Sequence, residues 1–176
     1  SELYREKLIT AGGGNLSLRL PTQEGFLITP SGSFKGDLHP HSMVALDVKG
    51  RPTAIEPGVP SIETSLHLQI YRLKPQVEAV IHTHAPAAII TGLYDMNIPS
   101  LTVEMIRFKE LPLVPYYLPG SSELADATAA ALEKNPAARA VLLQNHGLVT
   151  MGENLRGAIN TAMALEEACR MTILCR

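Results

Sequence analysis

The first part of the chain places apolar residues in short alternating or continuous runs, which are separated by turn-forming residues. NLSLRL (15–20) and GFLITP (25–30) have the length of strands, and the intervening PTQE has the composition of a hairpin turn. SMVALDVKG (42–50) predicts a third strand. Strands joined by such short turns pair antiparallel, so the pattern predicts an antiparallel start to the sheet.

Later segments alternate between helical and strand patterns. Apolar residues at helical spacing follow Ser61, a good N-cap that places Glu63 in the first turn of the predicted helix. AVIHTHA (79–85) predicts a buried strand, AVLLQNHGLVTMG (140–152) predicts two strands around a turn, and LPLVPYYLPG (111–120) predicts an extended segment. Three further helices are predicted, which begin at Pro86, after Ser121 or Ser122, and after Asn154.

These elements predict one α/β domain over residues 1–176. The intermixed strands and helices favour a central, mixed or largely antiparallel β-sheet that is flanked by helices on both faces. A chain of 176 residues, 45% of them hydrophobic and 18% charged, can bury one sizeable core. The opening SELYREKLIT resembles the end of an amphipathic helix, so we expect an N-terminal helix and a C-terminal tail to be truncated.

Charge and hydropathy narrow the class of partner. The net charge is −2 and the Lys and Arg residues are scattered, which argues against nucleic-acid binding. The apolar runs fall far short of the roughly 20 residues that a membrane span needs, and no signal peptide is recognisable. We therefore expect a cytoplasmic protein that binds a small molecule rather than nucleic acid or a membrane.

Two histidines interrupt the apolar stretch VEAVIHTHAPAAII (77–90). His82 and His84 are two residues apart on the predicted strand, so their imidazoles project from one face and can share a metal ion. A structural pair that is satisfied by backbone hydrogen bonds would have the same pattern. His146 lies in the turn between two predicted strands, where side chains at the end of a sheet converge, and is the natural third ligand.

Other polar positions are weaker candidates when each is taken alone. Glu63 near a helix start ordinarily compensates the helix dipole and needs a neighbouring metal to do more. The turns in GGGNLSLR and TPSG can present backbone N–H groups and a hydroxyl to an anion, with Gly14, Asn15 and Ser31 nearest to it. The histidines that look less suited to a metal site are His39 and His41 beside Pro40, and His67 within a helix.

Six motifs occur in order along the chain: GGGNLSLR, FLITPSG, PSIETSLHLQIY, AVIHTHAP, GSSELADA and AVLLQNHGLV. In this order and at these intervals they resemble the zinc-dependent class II sugar-phosphate aldolase family, which includes the fuculose-1-phosphate and rhamnulose-1-phosphate aldolases. The resemblance covers essentially the whole chain. It implies an α/β fold with a largely antiparallel sheet, assembled as a cyclic homotetramer with active sites at subunit boundaries.

The resemblance also implies roles for individual residues. His82, His84 and His146 match the ligands of one Zn²⁺ per subunit, although another divalent metal is compatible with them. Glu63 matches the catalytic acid/base. The positions that match the cradle of the substrate phosphate are Gly14, Asn15, Ser31, Gly32 and Ser61. The implied reaction is aldol cleavage of a ketose 1-phosphate of the L-fuculose 1-phosphate type to dihydroxyacetone phosphate and an aldehyde, through a metal-stabilised enediolate.

Two positions depart from the pattern of the fuculose aldolases. Ile62 stands where those enzymes have a serine that helps to bind phosphate, which bears on how this chain holds a phosphate. Glu104, in SLTVEMI (100–106), stands near the place of a tyrosine in those enzymes. A glutamate there is similar to the methylthioribulose-1-phosphate dehydratases, in which it does acid/base work during loss of water, so Glu104 is a second catalytic candidate.

Three alternatives share this scaffold. The first is a dehydratase of the methylthioribulose-1-phosphate type. The second is a ribulose-5-phosphate 4-epimerase, a group that tends to carry aspartate where this chain has Glu63. The third is a binding module such as the adducin head domain, which lacks the zinc histidines. The presence of His82, His84 and His146 together with Glu63 favours an enzyme.

Overall fold

The computed structural model describes residues 2–54, 58–108 and 110–176. Their strands are β1 (Asn15–Arg19), β2 (Gly25–Ile28), β3 (Val44–Asp47), β4 (Ala79–Thr83), β5 (Leu113–Val114), β6 (Ala140–Leu143) and β7 (Gly147–Gly152). They form one sheet in the order β3-β2-β1-β4-β7-β6-β5. Neighbouring strands are antiparallel except β5 and β6, which are parallel. The predicted mixed, largely antiparallel sheet and its antiparallel first strands are confirmed.

Helices cover both faces of this sheet, as predicted. The α-helices of the described residues are α1 (Glu2–Arg5), α2 (Thr64–Leu73), α3 (Pro86–Leu93), α4 (Ser122–Lys134) and α5 (Leu155–Leu174). Helices α2 and α4 pack together on one face, and α3 and α5 pack together on the other. None of the helices in the described part of the chain is long and apolar enough to cross a membrane.

Alternation along the central strands creates two separate cores. Ile81 and Leu148 pack in the core beneath α3 and α5, whereas Val80 and Val149 pack in the core beneath α2 and α4. Side chains two residues apart on a strand share a face. His82 therefore projects on the same face as Val80, toward α2.

Three of the predicted helix starts are confirmed, two of them by side-chain capping contacts and one by its proline. The hydroxyl of Ser121 accepts the backbone N–H of Leu124 at 3.1 Å, and the side chain of Asn154 accepts that of Gly157 at 2.8 Å. These bonds satisfy N–H groups that have no partner within the helix. Pro86 occupies the first helical position of α3, where its missing N–H costs nothing.

The predicted start of α2 is wrong by two residues. The hydroxyl of Ser61 accepts the N–H of Glu63 at 3.3 Å, and its carbonyl accepts the N–H of Thr64 at 3.1 Å. These two bonds close a separate turn before the helix, so Ser61 is not the N-cap. Glu63 takes the N-cap position with φ −91° and ψ 17°. It lies at the entrance to α2 instead of in its first turn.

Two other segments have features that the sequence patterns did not specify. In LPLVPYYLPG only Leu113–Val114 pairs with the sheet, since Pro115 and Pro119 have no N–H to donate to a ladder. The segment Glu104–Phe108 forms a short 3-10 helix, which the apolar pattern did not predict.

Candidate functional site

Three histidines converge at the end of the central strands. His82 is fully buried near the end of β4, where it pairs with Asn15 of β1 on one side and Val149 of β7 on the other. His84 follows β4 by one residue and is half-buried. His146 lies in the turn between β6 and β7. One nitrogen from each ring lies within 4.8 Å of the other two.

The backbone around His82 fixes which of its nitrogens faces the other rings. Nδ1 of His82 donates its proton to the carbonyl oxygen of Leu148 at 3.1 Å, so the lone pair is on Nε2. Nε2 of His82 lies 3.0 Å from Nε2 of His84. A backbone carbonyl that accepts the proton of the other ring nitrogen is the usual support of a metal-binding imidazole.

Gly147 brings the turn that carries His146 close to β4. A Cβ atom at this position would collide with the carbonyl oxygen of Thr83. Only glycine therefore allows β7 to begin against the end of β4. As a result the His146 ring centroid lies 4.6 Å from that of His82 and 5.3 Å from that of His84.

Burial keeps these imidazoles neutral. Desolvation lowers the pKa of His82 well below its usual value, with further lowering by His146 and His84. Desolvation also lowers the pKa of His84 and that of His146. A neutral imidazole has a free lone pair, which is the form that binds a metal ion.

Glu63 lies directly beside two of these histidines. Its Oε2 is 3.3 Å from Nε2 of His82, and its Oε1 is 3.4 Å from Nε2 of His146. Its carboxylate is 4% exposed, and Oε1 has no hydrogen-bond partner among the described residues. A buried acceptor without a partner is costly. Three neutral imidazoles around such an oxygen fit a divalent cation, because they supply three nitrogen ligands and a nearby negative charge.

A chain of buried polar contacts leads from Glu63 into the protein. Nδ2 of Asn15 donates to Oε2 of Glu63 at 2.5 Å, and Oδ1 of Asn15 lies 2.5 Å from Nε2 of His67. Nδ1 of His67 lies 2.7 Å from Oγ of Ser17, which lies 2.8 Å from the hydroxyl of Tyr71. Glu63 is thus held from behind, on the side away from His146.

His67, Ser17 and Tyr71 belong to this chain of contacts, although they were not predicted to lie near Glu63. A signal was present, since Glu63, His67 and Tyr71 follow one another at intervals of four residues and so share a helix face. Asn15 and Ser17 are two residues apart on β1, so the sequence also indicated that their side chains share one face of the strand. What the sequence did not show is that this strand and this helix face each other.

A cleft of about 240 Å³ opens beside these side chains. His84, His146 and Glu63 line it together with the residues predicted to cradle a phosphate, which are Gly14, Asn15, Ser31, Gly32 and Ser61. Gly14 has φ +84°, and a Cβ atom here would collide with Ile9, so only glycine suits this position. The structure thus brings the two predicted groups of residues to one place.

Lys35 also lines this cleft and was not predicted. Its side chain is buried beneath the turn, where Nζ donates to the carbonyls of Pro30 at 3.2 Å and Ser33 at 3.0 Å. Desolvation lowers the pKa of Lys35. Nothing in GSFKGDL distinguished this lysine from an exposed one.

Several other candidates lie outside the cleft. Glu104 is exposed in the 3-10 helix, and its own backbone N–H and the Thr102 side chain lower its pKa. His39 and His41 are exposed and stacked on each other. Ile62, by contrast, lines the cleft and is 65% exposed.

Glu166 of α5 secures the segment that follows His84. Its two carboxylate oxygens accept the backbone N–H groups of Ala87 and Ala88, each at 2.9 Å. These are N–H groups of the first turn of α3, which have no partner within the helix. The contact fixes the start of α3 and with it the segment that follows His84.

Comparison with known proteins agrees with this geometry. The chain matches the family described as Class II Aldolase and Adducin N-terminal domain over residues 1–173. It is 33% identical over 174 residues to the L-fuculose phosphate aldolase of Methanocaldococcus jannaschii, which covers 98% of this chain and 91% of that protein.

Two further matches are a relative that is named as a decarboxylase and a solved structure of an aldolase. The chain is 34% identical over 180 residues to the 3-oxo-tetronate 4-phosphate decarboxylase of Escherichia coli K12, which covers 99% of this chain and 82% of that protein. A solved structure of an L-fuculose 1-phosphate aldolase superposes with a TM-score of 0.88 at 30% identity, and covers 99% of this chain and 81% of that one.

Proposed function

Because the chain belongs to the class II aldolase and adducin N-terminal domain family and is an aldolase-type lyase, we propose that it cleaves a ketose 1-phosphate of the L-fuculose 1-phosphate type. The products would be dihydroxyacetone phosphate and an aldehyde. The observation that carries this proposal is the single cleft in which Glu63 lies beside His84 and His146 and faces the turns at Gly14 and Ser31.

We propose zinc as the metal held by His82, His84 and His146. Three imidazoles with one position left for substrate are a common ligand set of a catalytic zinc ion, and the carbonyl of Leu148 supports the ring of His82 from behind. When bound, the ion would act as a Lewis acid that withdraws electrons from the substrate's ketone and hydroxyl oxygens.

Glu63 is proposed to move the proton at C3 of the ketose. The bond between C3 and C4 breaks and its electron pair stays on C3, while C4 leaves in the aldehyde as its hydroxyl proton passes to solvent. C3 then receives a proton to become the hydroxymethyl carbon of dihydroxyacetone phosphate. Asn15 already holds Oε2 of Glu63, whereas Oε1 has no hydrogen-bond partner among the described residues. Oε1 is therefore the oxygen that we assign to the proton transfer.

Gly14, Asn15, Ser31, Gly32 and Ser61 are proposed to bind the substrate phosphate. They line the same cleft as His84, His146 and Glu63, so a phosphate bound by them would place the reacting carbons near Glu63. Ile62 adds no hydroxyl to this group. Lys35 supplies a positive charge beneath the same turn, which supports binding of an anion at this end of the cleft.

Decarboxylation is a second candidate, favoured by the equal similarity to the E. coli decarboxylase. Loss of CO₂ from a 3-oxo-tetronate 4-phosphate leaves the carbon skeleton of dihydroxyacetone phosphate. Both reactions therefore leave the same three-carbon enediolate, and Glu63 would protonate it in either case. They differ only in the group that departs.

Glu104 remains a proposed catalytic residue for the dehydratase alternative. We also propose a cytoplasmic homotetramer as the assembly. Val103 and Ile106 beside Glu104 are 81% and 58% exposed, which supports the covering of this surface by a second copy of the chain. Sedimentation of the purified protein tests the assembly directly, and a monomer at micromolar concentration would contradict it.

The test of the reaction uses the step that both lyase reactions share, which is protonation of the three-carbon enediolate. Metal-loaded protein is incubated with dihydroxyacetone phosphate in D₂O, and NMR records deuterium entering the hydroxymethyl carbon; a chelator-treated sample is the control. We expect chelator-sensitive exchange, and release of dihydroxyacetone phosphate from L-fuculose 1-phosphate. Exchange without such release, combined with release from 3-oxo-tetronate 4-phosphate, would assign decarboxylation. No exchange by protein that holds metal would contradict both.

A further inference from the structure

A continuous line of buried hydrogen bonds connects Tyr71 to Glu63 through Ser17, His67 and Asn15. Ser17 and His67 are fully buried, and Tyr71 is 4% exposed. Strand β1 and helix α2 contribute to it alternately. Buried polar groups need hydrogen-bond partners, and these residues find partners in their neighbours in the line.

At the Glu63 end of the line, the carboxylate sets the direction of the hydrogen bond because it is an acceptor. Oε2 of Glu63 can only accept when it is ionised, so Asn15 must present its Nδ2 to Glu63 and its Oδ1 to His67. A flipped amide would place Oδ1 of Asn15 against Oε2 of Glu63, which are both acceptors. The orientation of this amide therefore decides whether Glu63 is held or repelled.

His67 is the residue that determines this orientation. Oδ1 of Asn15 accepts, so Nε2 of His67 must carry the proton. Burial lowers the pKa of His67 to about 3, so the ring has one proton only and Nδ1 is an acceptor. Nδ1 then takes the hydroxyl proton of Ser17.

Tyr71 completes the sequence of donors. Burial raises the pKa of Tyr71, so its phenol keeps the proton that it donates to Oγ of Ser17. Arg19 holds Tyr71 in place, because its guanidinium lies 4.5 Å above the ring and donates to the backbone carbonyl at 3.0 Å. Every proton in the line thus points toward Glu63.

We infer that His67, oriented by Ser17 and Tyr71, is a positioning residue that locks the Asn15 amide with its N–H toward Glu63. This inference rests on the proposed role of Glu63 as acid/base. The line fixes Oε2 of Glu63 and leaves Oε1 for the substrate. His67 itself does not reach the cleft, since it is fully buried and Asn15 stands between it and Glu63.

The first test is spectroscopic and needs no substrate. Nitrogen NMR of ¹⁵N-histidine-labelled protein, assigned by comparison with His67→Gln, reports the tautomer of His67. We expect Nε2 to carry the proton and the ring not to titrate between about pH 5 and pH 8, where histidines ordinarily do. A proton on Nδ1, or a charged ring at pH 7, would overturn the inference whatever the reaction proves to be.

The second test is kinetic and uses variants at Ser17 and Tyr71, which are three and four hydrogen bonds away from Glu63. In Ser17→Ala, Nδ1 of His67 loses its donor, which allows the other tautomer and the flipped amide. We expect kcat to fall about tenfold with KM within about twofold of the parent, and a smaller fall in Tyr71→Phe. Ser17→Thr keeps a hydroxyl and should restore at least half of the loss.

Thr128→Val is the matched control, because the buried hydroxyl of Thr128 bonds only within α4, to the carbonyl of Leu124 at 2.8 Å. It should lose stability and keep kcat. Equal kcat losses in Thr128→Val and Ser17→Ala, or a normal kcat in Ser17→Ala, would overturn the positioning role. Failure of the parent protein on every substrate together with the expected tautomer would instead count against the proposed function alone.

Discussion

Oε1 of Glu63 lies 3.4 Å from Nε2 of His146, although Glu63 stands at the start of α2 and His146 lies in the turn between β6 and β7. The same carboxylate contacts His82 through its other oxygen. The proposed acid/base and the proposed metal ligands are therefore adjacent in this site, and a change to one group must be checked for its effect on the other.

Replacing Glu63 should separate these two roles. Glu63→Gln keeps the shape of the side chain but removes the acid/base function, so we expect near-normal zinc content and a turnover lowered at least about 100-fold. Release of dihydroxyacetone phosphate and metal analysis measure the two effects. Glu133→Gln, an exposed change on α4, is the control.

Wild-type turnover in Glu63→Gln would refute the assignment of this residue. The dehydratase alternative makes a different prediction, namely that Glu104→Gln is the inactive variant. Because Glu104 is exposed and outside the cleft of its own chain, we expect Glu104→Gln to bind metal normally.

Loss of one histidine should abolish metal binding and turnover together. A site with three nitrogen ligands predicts about one zinc ion per chain, and His84→Ala leaves two ligands. We expect isothermal titration to show zinc affinity weakened at least about 100-fold. His41→Ala, which removes an exposed histidine, should bind zinc as the parent does, and equal affinities in the two variants would exclude these three residues as the site.

The buried His67 should make the protein less stable in mild acid. Its pKa is about 3 in the folded protein and 6.5 in its usual state, so between these values the unfolded chain binds more protons. Stability is therefore lost as the pH falls from about 6.5 toward 3. Between pH 7 and pH 5, metal-free His67→Gln should lose about 2 kcal/mol less unfolding free energy than the parent.

Urea denaturation at each pH measures this difference. His41→Gln is the matched variant, since it removes a histidine that is exposed. Parallel curves for the parent and His67→Gln would show that His67 takes up protons to the same extent in the folded and unfolded states, and would contradict its buried, neutral form.

The contact of Glu166 with α3 should contribute measurably to stability. Glu166→Ala leaves two N–H groups at the start of α3 without their carboxylate, so we expect a loss of about 1–2 kcal/mol in urea denaturation. Glu167→Ala is a close control, because the neighbouring Glu167 is exposed and pairs only with Arg170 on its own helix. Equal losses would mean that the cap contributes nothing.

Much of the fold followed from local patterns. Ser121 and Asn154 cap the helices that they were expected to cap, and the strand histidines lie where alternation put them, because these features depend only on residues a few positions away. The start of α2 was wrong because Ser61 bonds to the backbone in a turn of its own. That preference depends on the exact path of the chain rather than on composition.

The site was less readable than the fold. His82, His84 and His146 were predicted as metal ligands because the pattern puts the first two on one predicted strand and the third at a turn. His67 was set aside because a mid-helix histidine is ordinarily core or solvated, and only the packing of α2 against β1 reveals its partners. Lys35 was invisible for the same reason, since burial of a loop lysine depends on the tertiary fold.

The position of β4 between β1 and β7 has a consequence for how the protein matures. Asn15, Glu63, His82 and His146 meet only after β7, which comes late in the chain, has paired with β4. Such distant pairing forms slowly, so a chain still emerging from the ribosome would lack the complete ligand set. Metal would then favour only the finished sheet by mass action, and uptake of the ion would report the last stage of folding.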